Sequence, residues 1–354
     1  MDGFLTSRRV LVTGGAGFIG SALIWYLNRL GIDDIVVCDR LGNGDKWRHL
    51  VPLRFRDYLE SDELATLVAE RPAQLQEIGA VFHLGACSST TETDAGYLVR
   101  NNFGYTKMLA EWAVAGGRRF VYASSAATYG ARESDLREDL PPSELRPLNM
   151  YGYSKALFDA YAARSGLLER IVGLKYFNVY GPNEDHKGEM RSVVAKAYES
   201  IRDSGIVRLF KSYRAGVADG RQTRDFLYVK DAVAMTVHLA ATSGARGLYN
   251  IGSGTARTWL DLARAVFTSL GIPPRIEYVE MPDYLRARYQ YATQATIERL
   301  RASGYDAPIA PLEAGIEDYV RGYLAPGKRL GEETEAAEQP GTGKVRRLRT
   351  ARQS

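Results

Sequence analysis

The sequence has few of the features that mark secreted, membrane or metal-binding proteins. It contains only two cysteines, Cys38 and Cys87, and neither belongs to a C-x-x-C pair. We therefore expect no disulfide framework, and we expect the protein to reside in a reducing compartment. No run of about 18 apolar residues occurs, so we expect no membrane-spanning helix. Four histidines with no clustering along the chain predict no metal site.

Neither basic nor acidic residues are in large excess. The chain has 46 Lys and Arg against 42 Asp and Glu, a net charge of +4. Residues 328–354 carry most of this excess, with seven basic and four acidic side chains. The remainder is nearly neutral, which argues against a nucleic-acid partner. Because the polar stretch Met1 to Arg9 has no apolar signal core, the expected localisation is cytoplasmic.

A glycine-rich segment is the most informative feature that is present. From Thr13 to Gly20 the chain reads T-G-G-A-G-F-I-G, directly after an apolar run. In a strand-to-helix turn of this kind, the first glycines permit the turn, Gly17 lets the backbone approach a pyrophosphate, and Gly20 lets the helix pack on the strand. The pyrophosphate binds at the helix N-terminus, where free N–H groups favour an anion. The segment predicts a dinucleotide site.

A carboxylate follows at the spacing that such a site requires. A second apolar run ends in Asp39, about 20 residues beyond the last glycine. An aspartate in this place favours the free ribose diol of NAD. Arg40 beside it and Lys46 soon after suit the 2′-phosphate of NADP. The residues alone leave this choice open.

Apolar segments and amphipathic segments alternate through the first half of the chain. We predict strands at 10–13, 35–38, 80–84, 120–124 and 171–176, and helices at 17–30, 62–70, 97–115 and 151–163. The apolar segments do not alternate strictly with polar residues, which is typical of strands covered on both faces. This order predicts an α/β fold with a doubly wound, parallel, Rossmann-type sheet.

The order loosens beyond residue 176, where loops become long and basic. We expect a dinucleotide-binding domain over residues 1–176 and a smaller C-terminal substrate-binding domain mainly over 177–326. Residues near 226–252 are expected to return to the first domain. Residues 327–354 contain almost no apolar side chains, which predicts a disordered tail. Truncation after about Gly327 is accordingly expected to leave activity intact.

Tyr151 and Lys155 form a candidate catalytic pair at the start of a predicted helix. Because they are four residues apart, they share one helical face. A neighbouring ammonium and a positively charged nicotinamide both favour the phenolate. Tyr151 can then take the proton of a substrate hydroxyl while hydride leaves the same carbon. We choose Ser125, rather than Ser124, as the hydroxyl donor at the end of a strand, and expect Asn101 to hold the local architecture by polar bonds.

Taken in this order, the motifs resemble the extended short-chain dehydrogenase/reductase family, whose members mostly act on nucleotide-linked sugars. The resemblance extends from about residue 9 to residue 324. The most specific segments, G-A-C-S-S-T-T-E at 85–92 and H-K-G at 186–188, are similar to those of epimerases that act at C6 of ADP-heptoses. The resemblance implies an isomerase, a homo-oligomer, and a role in the inner core of lipopolysaccharide.

In the family that the motifs resemble, a tightly held NADP oxidises C6 of the heptose to a ketone. The ketone then reorients, and hydride returns to its opposite face. Two bases serve the two epimers, and they match Tyr151 and Lys187 here. From the residues alone, Lys187 is equally explained as a pyrophosphate ligand or a solvated loop lysine. The implied cofactor is NADP, with Lys46 matching the cofactor-binding lysine, and NAD remains the alternative.

The resemblance also implies two sets of binding residues. The cofactor set is Gly14, Gly17, Phe18, Ile19, Gly20, Asp39, Arg40, Lys46, Leu84, Gly85, Ala86, Cys87, Ser88, Asn101, Lys155, Val179 and Lys187. The substrate set is Ser125, Asn178, Glu189, Lys196, Phe210, Lys211, Ser212, Tyr213, Arg224 and Tyr289. Arg224 is the preferred pyrophosphate ligand, because a guanidinium can bind phosphate through two hydrogen bonds. Glu189 and Lys196 depart from the serine and histidine of the resembled family, which leaves the exact sugar nucleotide open.

Other functions fit parts of the pattern. A 4-epimerase of the same fold shares the looser motifs. A dehydratase would need a further acid/base pair, often with Asp directly after Ser125, where this chain has Ala126. A non-catalytic NAD(P)-sensing protein would typically have lost Tyr151 or Lys155. The 6-epimerase interpretation is therefore preferred.

Overall fold

The computed structural model describes residue 5 and residues 8–70, 75–286 and 289–333. Its strands are β1 Arg9–Thr13, β2 Ile35–Asp39, β3 Asp57–Glu60, β4 Ile78–His83, β5 Arg119–Ser125, β6 Val172–Tyr176, β7 Asn178–Tyr180, β8 Val207–Phe210, β9 Thr223–Tyr228, β10 Gly247–Ile251, β11 Ala256–Thr258 and β12 Ile276–Val279. Its α-helices are α1 Phe18–Arg29, α2 Ser61–Glu70, α3 Ala95–Leu98, α4 Tyr105–Ala115, α5 Met150–Arg164, α6 Val193–Ser204, α7 Val229–Ala241, α8 Trp259–Leu270, α9 Asp283–Arg286, α10 Glu298–Ala302 and α11 Leu312–Tyr319.

The largest sheet has seven strands in the order β10-β6-β5-β4-β1-β2-β3. Every neighbouring pair in it is parallel. The direction of winding reverses between β1 and β4, and in open α/β sheets ligands bind beyond the carboxyl ends of the strands at such a point. The predicted doubly wound Rossmann-type fold is confirmed, and its topology places the glycine-rich segment at the switch point.

The strands of this sheet are covered on both faces. All five residues of β2 and all six of β4 are buried. Successive residues of β1 face different layers: Val10 and Val12 pack in the core beside α1, whereas Leu11 packs in the core beside α4. This two-sided burial explains why the strand sequences are continuously apolar.

The rest of the described chain builds two small sheets. β7, β9 and β11 form one, and β8 pairs with β12 in the other. The segment between β9 and β11 returns to the main sheet: α7 packs against α1, and β10 pairs in parallel with β6. No helix in the ranges given above is long and apolar enough to cross a membrane.

The predicted helix at 97–115 is interrupted. α3 ends at Leu98, residues 99–104 form a π-helical turn, and α4 begins at Tyr105. A π-helical turn widens the helix by one residue and changes which side chains face inward. Asn102 lies within this turn and is completely buried.

The prediction of a tail disordered from residue 327 is wrong for residues 327–333. The side chain of Leu330 is completely buried, and its N–H donates to Asn183 Oδ1 at 3.2 Å. The Tyr323 hydroxyl donates to Glu333 Oε1 at 2.5 Å. The average composition of a polar segment does not reveal a single buried leucine such as Leu330, so composition predicts a tail that begins too early in the chain. Residues 334–354 of the expected tail lie outside the described residues.

Candidate active site

A cleft of about 440 Å³ opens at the carboxyl edge of the main sheet, and a smaller one of about 300 Å³ adjoins it. The two clefts share the lining residues Gly14, Asp39, Lys46, Gly85 and Ala86. The predicted cofactor residues Phe18, Ile19, Leu84, Ser88 and Val179 line the first, and Arg40, Cys87 and Asn101 line the second. A continuous groove therefore crosses the switch point of the sheet.

The glycine-rich loop forms the floor of this groove. Gly14 has a left-handed backbone (φ +68°), and a Cβ there would lie 2.6 Å from the Cα of Gly85. At Gly20 a Cβ would lie 2.0 Å from the Gly14 carbonyl oxygen. The first turn of α1 carries no acidic side chain, which leaves its N-terminal N–H groups open to an anion. The loop has the close backbone packing that a pyrophosphate site requires.

Gly20→Ala tests this packing. The added methyl group has no room beside the Gly14 carbonyl, so the loop must shift. We expect dinucleotide binding at least about tenfold weaker, corresponding to about 1.4 kcal/mol. Gly44→Ala is the matched control, because a Cβ at Gly44 meets nothing within 4 Å. The dinucleotide released on denaturation is the measurement, and a Gly20→Ala protein that retains a full complement would contradict the assignment of the loop.

Asp39 ends β2 and is almost buried. Its Oδ2 accepts the N–H of Ala16 at 2.9 Å, and its Oδ1 accepts Lys46 Nζ at 2.6 Å. The Arg40 side chain donates to Ser61 Oγ at 2.5 Å and to Asp62 Oδ1 at 2.6 Å. The Asp39 carboxylate is therefore fixed in place and neutralised by Lys46. Lys46 and Arg40 together place two cations at the wall of the smaller cleft.

Tyr151 and Lys155 extend from α5 into the larger cleft. Burial raises the pKa of the Tyr151 phenol, and the Ser125 side chain opposes this shift. Lys155 Nζ donates to the Ala123 carbonyl at 2.7 Å. Burial lowers the pKa of Lys155 to about 8, although Asp159 opposes the shift. The arrangement brings together a phenol, a hydroxyl donor and an ammonium, the groups needed to move a proton at a hydroxyl-bearing carbon.

A buried charge network explains why the two adjacent serines differ. The Ser124 hydroxyl donates to Asp159 Oδ2 at 2.8 Å. Asp159 also accepts the Tyr122 hydroxyl at 2.8 Å and Lys175 Nζ at 2.9 Å. Because Ser124 is bound to this network, Ser125 is the serine that meets Tyr151. Asp159 and Lys175 escaped the sequence analysis, since no local pattern pairs residues on a helix and a distant strand.

The side-chain amide of Asn102 makes most of the polar bonds of the local architecture. It accepts the N–H of Cys87 at 2.9 Å, donates to the Cys87 carbonyl at 2.9 Å and donates to Ser154 Oγ at 3.0 Å. Asn101 lines the smaller cleft and adds one bond, from its Nδ2 to Asn102 Oδ1 at 3.0 Å. The role predicted for Asn101 stays a prediction, and Asn102 is a residue that the sequence analysis missed.

Lys187 lies in the turn Asp185–Met190 and lines the larger cleft. Its Nζ lies 5.3 Å from the centre of the Phe18 ring. Burial lowers the pKa of Lys187, with Glu184 opposing the shift. A lysine whose ammonium is desolvated gives up its proton more readily. Met190 and Arg191, which the sequence analysis missed, line the cleft beside it.

Aromatic rings and one arginine border the far side of the cleft. Asn178 and Trp259 belong to its lining. The Arg224 guanidinium lies 5.6 Å from the Trp259 ring and 5.3 Å from the Tyr289 ring. The Trp259 indole donates to the Tyr289 hydroxyl at 3.0 Å. Arg224 and Tyr289 therefore stand directly behind a lining residue.

Eight of the ten predicted substrate residues lie outside the described cleft lining. Besides Arg224 and Tyr289, they are Glu189, Lys196, Phe210, Lys211, Ser212 and Tyr213. The Glu189 side chain is 95% exposed and pairs with Lys196 at 3.2 Å. Lys211 Nζ pairs with Glu280 at 2.7 Å, and the Tyr213 hydroxyl bonds the same carboxylate. Their assignment to substrate binding stays a prediction.

Two of the four histidines, His49 and His186, lie close together in the fold although they are far apart along the chain. The rings of His49 and His186 lie 5.0 Å apart, and Asp185 is beside them. The fold brings together residues more than a hundred positions apart, which spacing along the chain cannot show.

Comparison with known proteins gives consistent matches. Residues 10–252 match the model of the NAD dependent epimerase/dehydratase family. An ADP-L-glycero-D-manno-heptose-6-epimerase of Nitratidesulfovibrio vulgaris is 50% identical over 316 residues, covering 89% of this chain and 98% of that protein. The Helicobacter pylori protein of the same name has a TM-score of 0.76 at 27% identity, covering 91% of this chain and 98% of that one. A Thermus thermophilus UDP-glucose 4-epimerase in complex with NAD has a TM-score of 0.69 at 27% identity, covering 88% of this chain and 98% of that one.

Proposed function

Because this chain belongs to the NAD dependent epimerase/dehydratase family, we propose that it inverts C6 of ADP-D-glycero-D-manno-heptose, using NADP, to form the L-glycero epimer. The substrate is that of relatives named ADP-L-glycero-D-manno-heptose-6-epimerase. The observation that carries the proposal is the presence of Tyr151 and Lys187 in one cleft beside the glycine-rich loop. The product would enter the inner core of lipopolysaccharide.

The groove fits a nicotinamide dinucleotide. A Cβ at Gly14 would clash with the backbone of Gly85, and a Cβ at Gly20 would clash with the carbonyl of Gly14. The N-terminus of α1, with its free N–H groups, favours a pyrophosphate. When bound, the nicotinamide supplies reversible hydride transfer at C6, which passes through a 6-keto sugar. Net redox change is zero, so a retained cofactor suffices.

Tyr151 acts on the hydroxyl of one epimer in this proposal. Ser125, which lines the same cleft, orients the reacting oxygen. Lys155 lies four residues along the same helix and is fixed by the Ala123 carbonyl. Burial raises the pKa of Tyr151, and Ser125 opposes that shift; a positively charged nicotinamide beside the phenol would favour the phenolate further.

Lys187 acts on the opposite epimer. A C6 hydroxyl that points to the other face of the ketone needs a separate proton acceptor and donor. The desolvated Lys187 ammonium, with its lowered pKa, can exchange a proton near neutral pH more readily than an exposed lysine. Arg224 is buried 5.6 Å from the ring of the lining residue Trp259, and its role as a pyrophosphate ligand stays a prediction from the chemistry of the guanidinium.

The preference for NADP over NAD is assigned to Lys46 and Arg40. Lys46→Ala removes a cation and releases Asp39 from its ion pair at 2.6 Å. The free carboxylate then favours a ribose diol and repels a 2′-phosphate. We expect the ratio of NADP to NAD affinity to fall at least about tenfold, or about 1.4 kcal/mol. Arg48→Ala, which removes an exposed cation paired with Asp45, is the control, and an unchanged ratio would remove Lys46 from cofactor selection.

The experiment that tests the function is conversion of ADP-D-glycero-D-manno-heptose by purified protein without added cofactor, followed by NMR. Formation of the L-glycero epimer supports the substrate, the reaction and a retained dinucleotide together. If folded protein supplied with NADP and NAD gives no conversion, the heptose assignment fails. UDP-glucose, the substrate in the name of the T. thermophilus protein, is the next compound to assay.

A further inference from the structure

His49 is a completely buried histidine that links the glycine-rich loop to the turn that carries Lys187. Its Nδ1 lies 2.8 Å from the carbonyl oxygen of Ala16, and its Nε2 lies 2.6 Å from Asp185 Oδ1. A carbonyl and a carboxylate accept hydrogen bonds but do not donate them. The ring therefore bridges the carbonyl of the glycine-rich loop and the Asp185 carboxylate.

The charges around Asp185 agree with this pairing. Burial alone would raise the pKa of Asp185, but the hydrogen bond and charge of His49 and the charge of Arg329 hold it well below its usual range. Arg329 Nη2 lies 3.3 Å from Asp185 Oδ2. His49, Asp185 and His186 do offer ligand atoms within 4.8 Å of one another. However, both nitrogens of His49 are engaged in contacts with Ala16 and Asp185, and the Arg329 guanidinium adjoins the Asp185 carboxylate. The cluster is therefore a network of polar contacts between segments rather than a metal site.

Residues 328–333, here called the C-terminal brace, reach the same turn from outside. Leu330 is completely buried, and its N–H donates to Asn183 Oδ1 at 3.2 Å. Asn183 Nδ2 in turn donates to Ser21 Oγ on α1 at 3.0 Å. Asn183 has a left-handed backbone (φ +73°), which asparagine adopts more readily than other non-glycine residues. Its side chain therefore joins the brace to α1.

The two linkages meet on either side of one short segment. Asn183 is tied to α1 and to Leu330, and Asp185 is tied to His49 and to Arg329. Lys187 follows two residues later, with its N–H donating to the Glu184 carbonyl at 3.0 Å. The position of the Lys187 ammonium over α1 therefore depends on how this segment is held.

We propose that His49 and the C-terminal brace are positioning elements that hold Lys187 against the glycine-rich loop. The proposal depends on the proposed function only for the chemical role of Lys187. It assigns a function to a part of the chain that composition marks as tail. It also connects the glycine-rich loop to Lys187 through a continuous set of contacts.

A matched pair of truncations tests the proposal. Ending the chain after Glu333 keeps the brace, whereas ending it after Gly327 removes the brace. In place of the intact activity expected from composition, removal is expected to lower kcat for ADP-heptose epimerisation on the order of 10²-fold with little change in KM, because a displacement of about 1 Å at a catalytic group has an effect of that size. Hydrogen–deuterium exchange should rise in peptides covering residues 183–191 and stay unchanged in β4 and β5. Equal kcat and equal exchange in the two proteins would overturn the proposal.

Arg329→Met decides the case if the shorter protein fails to fold. This variant keeps the stem of the side chain and removes only the guanidinium that contacts Asp185. We expect faster exchange at 183–191 and a fall in kcat of about tenfold, with Arg202→Met, an exposed arginine paired with Asp203, as the control. Unchanged exchange and kcat in a folded Arg329→Met protein would overturn the proposal. Faster exchange in a protein that converts no heptose would support positioning while refuting the proposed substrate.

Discussion

Tyr151→Phe is expected to lower epimerisation on the order of 10³-fold while the protein keeps its dinucleotide. The change removes one hydroxyl and leaves the ring to fill its place in the cleft. Loss of a positioned proton donor and acceptor typically costs 10²–10⁴-fold in rate. Ser125, which lines the same cleft, cannot replace it, because an unassisted aliphatic hydroxyl is a poor base at neutral pH.

The measurement is kcat with the heptose substrate, together with the amount of dinucleotide released on denaturation. Tyr153→Phe is a matched control: Tyr153 lies two residues along the same helix, and its side chain is exposed. Near-normal turnover in Tyr151→Phe would remove Tyr151 from the mechanism. Loss of the dinucleotide together with activity would show instead that the hydroxyl supports cofactor binding.

Lys187→Met is expected to lower kcat on the order of 10²-fold or more. Methionine retains the length and apolar stem of lysine, so contact with the Phe18 ring can persist while the proton-transferring group is lost. The alternative role, binding the substrate pyrophosphate, predicts a different result. A binding residue would change KM and leave kcat nearly as it was.

Steady-state kinetics with either epimer as substrate separates these outcomes. Lys107→Met serves as the control, because Lys107 lies on α4 and pairs with Glu111 at 4.0 Å on the protein surface. A change confined to KM would identify Lys187 as a phosphate ligand. A fall in kcat that matches the one in the protein truncated after Gly327 would connect the base to the C-terminal brace.

Local patterns were sufficient for the fold and for the cofactor groove. The spacing of the glycines between Thr13 and Gly20, the apolar strands and the four-residue separation of Tyr151 and Lys155 are all short-range features. Each depends on one turn, one strand or one helical period, which the sequence displays directly. The resemblance drawn from these motifs is confirmed by the family match over residues 10–252.

Local patterns were least informative where an outcome depends on contacts between distant segments. Glu189 and Lys196 are close to Lys187 in the sequence, yet they pair with each other at the surface. Met190 and Arg191 line the cleft instead. A turn can direct neighbouring residues to opposite sides, and the direction is set by whatever the turn packs against.

Residues within single short segments were enough to predict the Rossmann-type sheet, the glycine-rich loop and the tyrosine–lysine pair. The binding of Ser124 to Asp159 and the burial of Asn102 appear only in the folded chain. The same is true of the contacts that join His49 to Asp185 and Leu330 to Asn183. Those contacts connect residues more than a hundred positions apart, and packing of the whole chain, rather than local periodicity, brings them together.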